Sequence, residues 1–195
     1  MNPETELMLR QVFKRFNRFM LLLWRLGLGP WLSLWPDVGG QFIVIVQTGR
    51  KSGLRRFTPV NFAELDGELY CCAGFGKISD WYQNILANPR VEVWHPQGWW
   101  QANAVDISSS ADRIRIMRAV MLGSGLVAPL FGLDPHKLDD LQLAELTASY
   151  PLIHIQRLQA RTGPSGPGDL VWLWPVSVFI LLASLLSKPR SKNKT

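Results

Sequence analysis

The pattern of apolar positions predicts a basic amphipathic helix, then a group of strands, then an apolar C-terminal segment. Residues 3–26 repeat apolar side chains at helical spacing, and Gly27 ends the repeat. Such a helix suits either a membrane surface or the outside of a barrel, and the sequence leaves both alternatives open. Its two faces carry apolar Leu9, Val12, Phe13, Phe16, Met20 and Leu23, and basic Arg10, Lys14, Arg18 and Arg25.

The central part of the chain alternates strand and turn signals. Asp66-Gly67 and residues 95–98 predict hairpin turns. Strands joined mainly by hairpins favour an antiparallel barrel with helices packed outside it, which is an α+β fold. The predicted strands are 42–48, 57–65, 68–73, 90–94, 99–106 and 152–157, and the predicted helices between them are 80–86, 111–122 and 135–146.

The C-terminal region has the composition of a linker followed by a membrane-associated helix. Residues 161–169 are rich in glycine and proline, and residues 170–186 contain no charge. As a helix this segment would rise about 26 Å, slightly less than a hydrocarbon core of about 30 Å, so spanning and interfacial placement both stay open. The predicted organisation is an N-terminal helix (1–30), a barrel domain (40–158), a linker (159–169), a hydrophobic helix (170–187) and a basic tail (188–195).

Composition narrows the classes of partner. The 195-residue chain has a net charge of +6, which suits nucleic acid, anionic lipid or an anionic ligand. Zinc spacings and aromatic-basic RNA motifs are lacking in the sequence, which argues against nucleic acid. Cys71 and Cys72 are adjacent on a predicted strand, so they point to opposite faces and indicate a reducing, cytoplasmic compartment. His95 and His136 are expected at the surface.

The candidate chemistry lies in a basic loop. Residues 48–56 read Thr-Gly-Arg-Lys-Ser-Gly-Leu-Arg-Arg and follow the apolar strand 42–48. Glycines allow backbone amides to turn inward, and guanidinium groups offer forked donors to phosphate or carboxylate oxygens. The loop therefore predicts a site for an anionic ligand, and a solvated basic turn is the alternative.

Further motifs follow this loop in order. They are Arg56, Pro59, Ala73-Gly-Phe-Gly76 with Lys77, and the segment Asp-Trp-Tyr-Gln-Asn-Ile-Leu-Ala-Asn-Pro at 80–89. Together with Gly-Arg-Lys-Ser-Gly at 49–53, they make residues 42–106 resemble the deazaflavin-dependent nitroreductase family. The resemblance implies a split β-barrel of about six mostly antiparallel strands, with coenzyme F420, an 8-hydroxy-5-deazaflavin, as the cofactor.

The resemblance also implies how the cofactor is held. Basic side chains would clamp its phosphate and acidic tail, small residues after the third strand would let its ring approach the backbone, and two side chains of the short helix would reach the same ligand. No catalytic or metal-binding residue is assigned. The implied cofactor-binding residues are Arg50, Lys51, Ser52, Gly53, Arg56, Pro59, Ala73, Gly74, Gly76, Lys77, Trp81 and Asn84.

The expected activity is hydride transfer from reduced deazaflavin to an organic acceptor such as a quinone or nitro compound. Trp94, Trp99 and Trp100, with the N-terminal helix, are expected to form an apolar mouth for the acceptor. The apolar helices predict a membrane location, either on the cytoplasmic face of the plasma membrane or anchored by the C-terminal helix. The resemblance makes a homodimer a further expectation.

Two alternative functions remain open at this point. A barrel of the same kind could bind flavin mononucleotide, which has a phosphate but no acidic tail and would use fewer of the positive charges. The chain could also be a non-catalytic membrane-anchored module that binds anionic lipid headgroups through Arg50, Lys51 and Arg56.

Overall fold

Six antiparallel strands form a closed barrel, which confirms the predicted fold class. The computed structural model describes residues 3–34, 39–130, 132 and 134–187; Trp35 and the predicted basic tail 188–195 lie outside the described residues. The strands are β1 (Phe42–Thr48), β2 (Arg55–Leu65), β3 (Glu68–Cys72), β4 (Arg90–His95), β5 (Gly98–Asp106) and β6 (Leu152–Ala160). Their order around the barrel is β1-β2-β3-β6-β5-β4.

Helices accompany these strands along the described part of the chain. They are α1 (Pro3–Arg25), α2 (Asp80–Ala87), α3 (Arg113–Leu122), α4 (Val127–Leu130), α5 (Asp140–Leu146) and α6 (Leu173–Leu186), with short 3-10 turns at Gly29–Ser33 and Gly76–Ile78. The helix predicted from residue 135 begins only at Asp140, so this boundary was wrong. A capping box sets the start, because the Asp139 carboxylate accepts the Gln142 N–H at 2.8 Å while the Gln142 side chain accepts the Asp139 N–H at 3.1 Å.

Strand β1 is buried on both faces. Ile43 and Ile45 lie in the barrel core, and Val44 and Val46 on the other face pack against Trp24 of α1. This arrangement explains the continuous apolar run that marks the strand in the sequence. On another side of the barrel, α3 and α5 cover β2 and β3 through a second cluster that contains Met117.

Helix α1 contacts the barrel through its C-terminal end. Met20 is 3% exposed and Trp24 only 1%, so this part of the helix covers the barrel. Four other large apolar side chains in the described part of the helix remain exposed. They are Val12, Phe16, Phe19 and Leu22.

Two of the three tryptophans expected at an acceptor mouth belong to the core, so the expectation was wrong for Trp94 and Trp99. Trp94 and Trp99 are 1% and 7% exposed, and they pack with Trp24 between the barrel and α1. Trp100 is half-buried, and the Arg157 guanidinium carbon lies 5.7 Å from the centre of its ring. A rigid aromatic layer therefore joins α1 to the barrel.

The buried histidine is a second correction. His95 was expected at the surface, but it is 4% exposed and its ring lies 5.0 Å from the ring of Phe62. Burial lowers the pKa of His95 to about 4, so the imidazole is neutral at pH 7. His136 is exposed, as expected.

Helix α6 is apolar on all sides, and none of its residues is buried. With 14 residues it rises about 21 Å. Over the residues that the structure describes, no helix combines the length and apolarity required to cross a bilayer.

Candidate functional site

The basic loop forms a tight turn between β1 and β2. The Gly49 N–H donates to the Leu54 carbonyl at 2.8 Å, and the Gly53 N–H donates to the Gly49 carbonyl at 2.8 Å. Gly53 has a φ of +66°, a left-handed conformation that favours glycine. The two glycines of the motif thus close the loop and present Arg50, Lys51 and Ser52 between them.

Arg50 fastens this loop to α2. Asn84, 6% exposed, uses its amide oxygen to accept both the Arg50 N–H and an Nη1–H of Arg50, each at 3.1 Å. The same Nη1 lies 3.0 Å from a carboxylate oxygen of Asp80 at the start of α2. The charge of Arg50 is therefore partly neutralised, and its side chain links the loop to the helix.

A groove opens beside this junction. Its volume is about 570 Å³, within the range of small-molecule and cofactor sites. Its wall combines the cationic loop with apolar side chains from α1, β2 and α2. The lining residues are Leu21, Gln47, Gly49, Arg50, Lys51, Ser52, Arg55, Arg56, Phe57, Thr58, Asp80, Trp81 and Asn84.

The four cations of the groove differ in their partners. Arg55 pairs with Glu92 at 2.8 Å, and Arg50 pairs with Asp80. Within the described ranges, neither Lys51 nor Arg56 forms an ion pair, and the Arg56 guanidinium donates one hydrogen bond, to the Ser52 hydroxyl at 3.3 Å. Two uncompensated positive charges therefore face the groove, an arrangement that attracts anionic groups.

The apolar part of the groove is rigid. Phe57 packs against Trp94 with ring centroids 5.3 Å apart, and Trp81 packs against the barrel core. Leu21 adds an aliphatic surface from α1. These side chains can hold a flat ring and exclude water from it.

Polar groups on β1 and β2 complete the lining. Gln47 is 3% exposed; with its amide oriented to satisfy its neighbours, it donates to the carbonyls of Ile45 and Arg56 at 2.7 and 3.0 Å. Its oxygen then accepts the Thr58 hydroxyl at 2.9 Å. This network fixes the ends of the two strands that carry the basic loop.

The structure brings half of the predicted cofactor-binding residues together. Gly53 lies in the same loop but not on the groove wall, and Pro59 lies in β2 opposite Val44. Ala73 is fully buried in the barrel core at the end of β3, and the next three predicted residues follow it in the connection to α2. The groove-lining members are Arg50, Lys51, Ser52, Arg56, Trp81 and Asn84, and the remainder are Gly53, Pro59, Ala73, Gly74, Gly76 and Lys77. Contact of the second set with a cofactor stays a prediction.

Sequence reasoning missed other members of the groove wall. Strand β2 begins at Arg55, two residues before its predicted start, and this places Arg55 and Phe57 on the wall. Gln47 was detectable in principle, because it is a polar residue in an otherwise apolar strand. Leu21 was not, because its position depends on where α1 meets the barrel.

The Asn84→Ala variant tests the junction. We expect the free energy of unfolding to fall by about 1–3 kcal/mol, because two donors of Arg50 lose a buried acceptor. Urea denaturation measures the change. Asn88→Ala is the matched control, since the Asn88 oxygen accepts a single N–H, from Arg90 at 3.2 Å, and we expect a loss of about 0.5 kcal/mol or less. Equal losses in the two variants would contradict the role given to Asn84.

Comparison with known proteins relates part of this chain to a family. Residues 33–124 match the model of the family described as F420H(2)-dependent quinone reductase. A search of curated proteins found no significant match. Among solved structures, the chain is similar to a conserved hypothetical protein from Mycobacterium tuberculosis, with 14% identity, a TM-score of 0.46, and coverage of 62% of this chain and 75% of the other.

A second similar structure is an F420-H2 dependent reductase (FDR-A), with 21% identity, a TM-score of 0.44, and coverage of 60% of this chain and 94% of the other. The matched segment 33–124 contains β1 to β5, the basic loop and α2, which carry all of the groove wall except Leu21. This part of the chain, just under half of its length, is therefore similar to the family described as F420H(2)-dependent quinone reductase.

Proposed function

We propose that this protein transfers a hydride from F420H2 to a quinone-type acceptor at a membrane surface. The observation that carries the proposal is the groove itself, in which the uncompensated charges of Lys51 and Arg56 stand beside the apolar surface of Leu21, Phe57 and Trp81. An anionic tail and a flat ring require these two kinds of surface side by side.

The residues present fit the cofactor. Arg50 and Arg55 are already paired with carboxylates, so Lys51 and Arg56 are the groove cations left for a ligand, one for a phosphate and one for an acidic tail that extends from it. This second charge favours the deazaflavin over flavin mononucleotide. The Ser52 hydroxyl, 3.3 Å from Arg56 Nη2, is a neutral donor at the same place.

The chemistry of the reaction comes from the bound coenzyme, which in its reduced form supplies a hydride. The protein binds the coenzyme and orients it. Lys51 and Arg56 bind anionic oxygens, while Phe57 and Trp81 hold the ring plane and keep water away from it. Asn84 and Asp80 act through Arg50 by fixing the loop, so they are positioning residues.

The membrane part of the proposal is supported by exposed apolar surface. Helix α6 exposes Phe179, Ile180 and Leu186 at 72%, 61% and 86%, and it has no polar face to turn toward water. We propose that α6 lies in the bilayer interface at the cytoplasmic face of the plasma membrane. A lipid-soluble quinone would then be the acceptor.

The full-length protein tests this function with F420H2 and a quinone. We expect recovery of the oxidised coenzyme's absorbance both with a water-soluble quinone and with a long-chain quinone in anionic phospholipid vesicles. Absence of oxidation with either quinone would overturn the reductase function. Vesicle binding without oxidation would instead support a non-catalytic lipid-binding module.

A further inference from the structure

The segment between β6 and α6 is bound to the protein along its length. We call residues 161–172 the strap. At its start, the Arg161 N–H donates to the Trp99 carbonyl at 2.7 Å, and the Arg161 guanidinium lies 2.8 Å from Glu92. Further along, Gly166 packs so closely on Trp99 that an added Cβ would lie 2.6 Å from its ring.

The strap then caps the C-terminal end of α1. The Gly168 N–H donates to the Trp24 carbonyl at 3.0 Å, and the Leu170 N–H donates to the Arg25 carbonyl at 2.8 Å. The last carbonyls of a helix have no partner within the helix, so the strap supplies donors that would otherwise come from water.

A side-chain ion pair also joins the strap to the C-terminal end of α1. The Arg25 guanidinium makes two bonds of 2.9 Å to the Asp169 carboxylate, through Nε and Nη2. Hydrogen bonding to Asp169 raises the pKa of Arg25. Immediately after the strap, the Trp174 indole N–H donates to the Leu26 carbonyl at 3.0 Å, which fastens the first turn of α6 to the end of α1.

Both ends of the strap contact residues that are connected to the groove wall. Leu21, which lines the groove, lies one helical turn before Arg25 on α1. Glu92, which holds Arg161, also holds the groove residue Arg55 at 2.8 Å. The strap therefore connects α6 to the wall of the groove through two sets of contacts.

The surface that carries these contacts fits a lipid bilayer. Helix α6 is apolar all round, so a partner protein with one complementary groove would leave part of it in water, whereas acyl chains surround it. Arg15 and Arg18 are exposed on α1 near its exposed apolar side chains, which favours anionic headgroups.

We propose that the strap couples bilayer binding by α6 to the placement of α1, so that the groove opens toward the membrane at its Leu21 wall. The inference rests on the proposed function, because the coupled event is access of a lipid-soluble acceptor. Arg25 and Asp169 are positioning residues in this arrangement. They do not touch the reacting groups.

The Asp169→Arg variant tests the coupling, because it places two positive charges against each other at the end of α1. With the full-length protein and anionic vesicles, we expect vesicle binding by flotation to persist. We expect the rate with a vesicle-embedded long-chain quinone to fall about tenfold, because orientation is lost, while the rate with a water-soluble quinone stays unchanged. The charge-swapped double variant Arg25→Asp/Asp169→Arg should restore the vesicle rate.

The matched control is Asp140→Arg, which makes the same charge change at the Arg118–Asp140 pair between α3 and α5 and should leave both rates unchanged. A second readout does not depend on activity. On vesicles, amide hydrogen exchange should slow in α6 and residues 19–25 of the wild type, but only in α6 of Asp169→Arg.

The possible outcomes separate the two proposals. Equal losses with both quinones, or continued protection of residues 19–25 in Asp169→Arg, would overturn the coupling and leave the reductase function standing. If the wild type is inactive with both quinones but shows the expected hydrogen-exchange pattern, the reductase function alone is overturned. Self-association in solution that disappears in an α6 variant, without vesicle binding, would assign the surface to a second copy.

Discussion

The Lys51→Ala/Arg56→Ala variant is expected to bind F420 about 100-fold more weakly than the wild type. Charge-assisted hydrogen bonds contribute about 1.5 kcal/mol or more each, and two of them correspond to a factor of about 100 in the dissociation constant. Neither side chain forms an ion pair in the described part of the chain, so their removal leaves no buried partner and the barrel should remain folded. Fluorescence titration with F420 measures the change.

A matched control separates local contacts from overall charge. Arg115→Ala/Lys137→Ala also removes one arginine and one lysine, at exposed ion pairs with Asp66 and Asp134 that do not line the groove. We expect its affinity for F420 to change less than threefold at moderate ionic strength, where distant charges are screened. If both double variants lose affinity equally, the groove is not the site.

The second large effect concerns stability. The Trp94→Ala variant is expected to lose about 3–5 kcal/mol of unfolding free energy, because a fully buried aromatic side chain is replaced by a cavity. Trp94 is 1% exposed and contacts Phe57, so the groove wall should loosen as well. Urea denaturation, with fluorescence and circular dichroism as probes, measures the loss.

Trp31→Ala is the comparison for this variant. Trp31 is 66% exposed, so its removal should change the unfolding free energy by about 0.5 kcal/mol or less. Trp94 lies on β4 and packs with Trp24 of α1, whereas Trp31 lies in the 3-10 turn that follows this helix. A Trp94→Ala protein as stable as the wild type would restore Trp94 to the role of an exposed acceptor contact.

The strands were predictable because their signals are local. The β-branched run of β1 predicts a strand with the observed bounds, and Asp66-Gly67 adopts the left-handed conformations of a two-residue hairpin turn, with φ of +55° and +79°. The order of strands around the barrel follows from the hairpins and from the non-local pairing of β6 with β3 and β5 and of β1 with β4. Local patterns thus determine the strands and three of the six strand pairings.

The different roles of Arg50 and Lys51 in the basic loop were not predictable from the sequence. Arg50 and Lys51 are adjacent cations in the sequence, yet Arg50 is held by Asn84 and Asp80 while Lys51 faces the groove. The distinction depends on the placement of α2 against β1. Such a contact joins residues that are 34 positions apart, and one sequence has no local signal for it.

The strap shows why a Gly- and Pro-rich composition does not by itself identify a flexible linker after the barrel. Glycine and proline at 161–169 predict a linker, but Gly168 of this segment and the adjacent Leu170 donate their amides to the end of α1. Small residues here allow close approach, since an added Cβ at Gly166 would meet the ring of Trp99. The same residues that make a segment flexible in isolation make it suitable for tight packing.

The central claim is that the groove between the basic loop, β2 and α2 binds F420 through its charges. Equilibrium titration of the full-length protein with F420 and with flavin mononucleotide, at several salt concentrations, tests it most directly. We predict tighter binding of F420 than of flavin mononucleotide, with an F420 affinity that falls steeply as salt increases. No binding of F420 at low ionic strength, or an affinity indifferent to salt, would contradict the account.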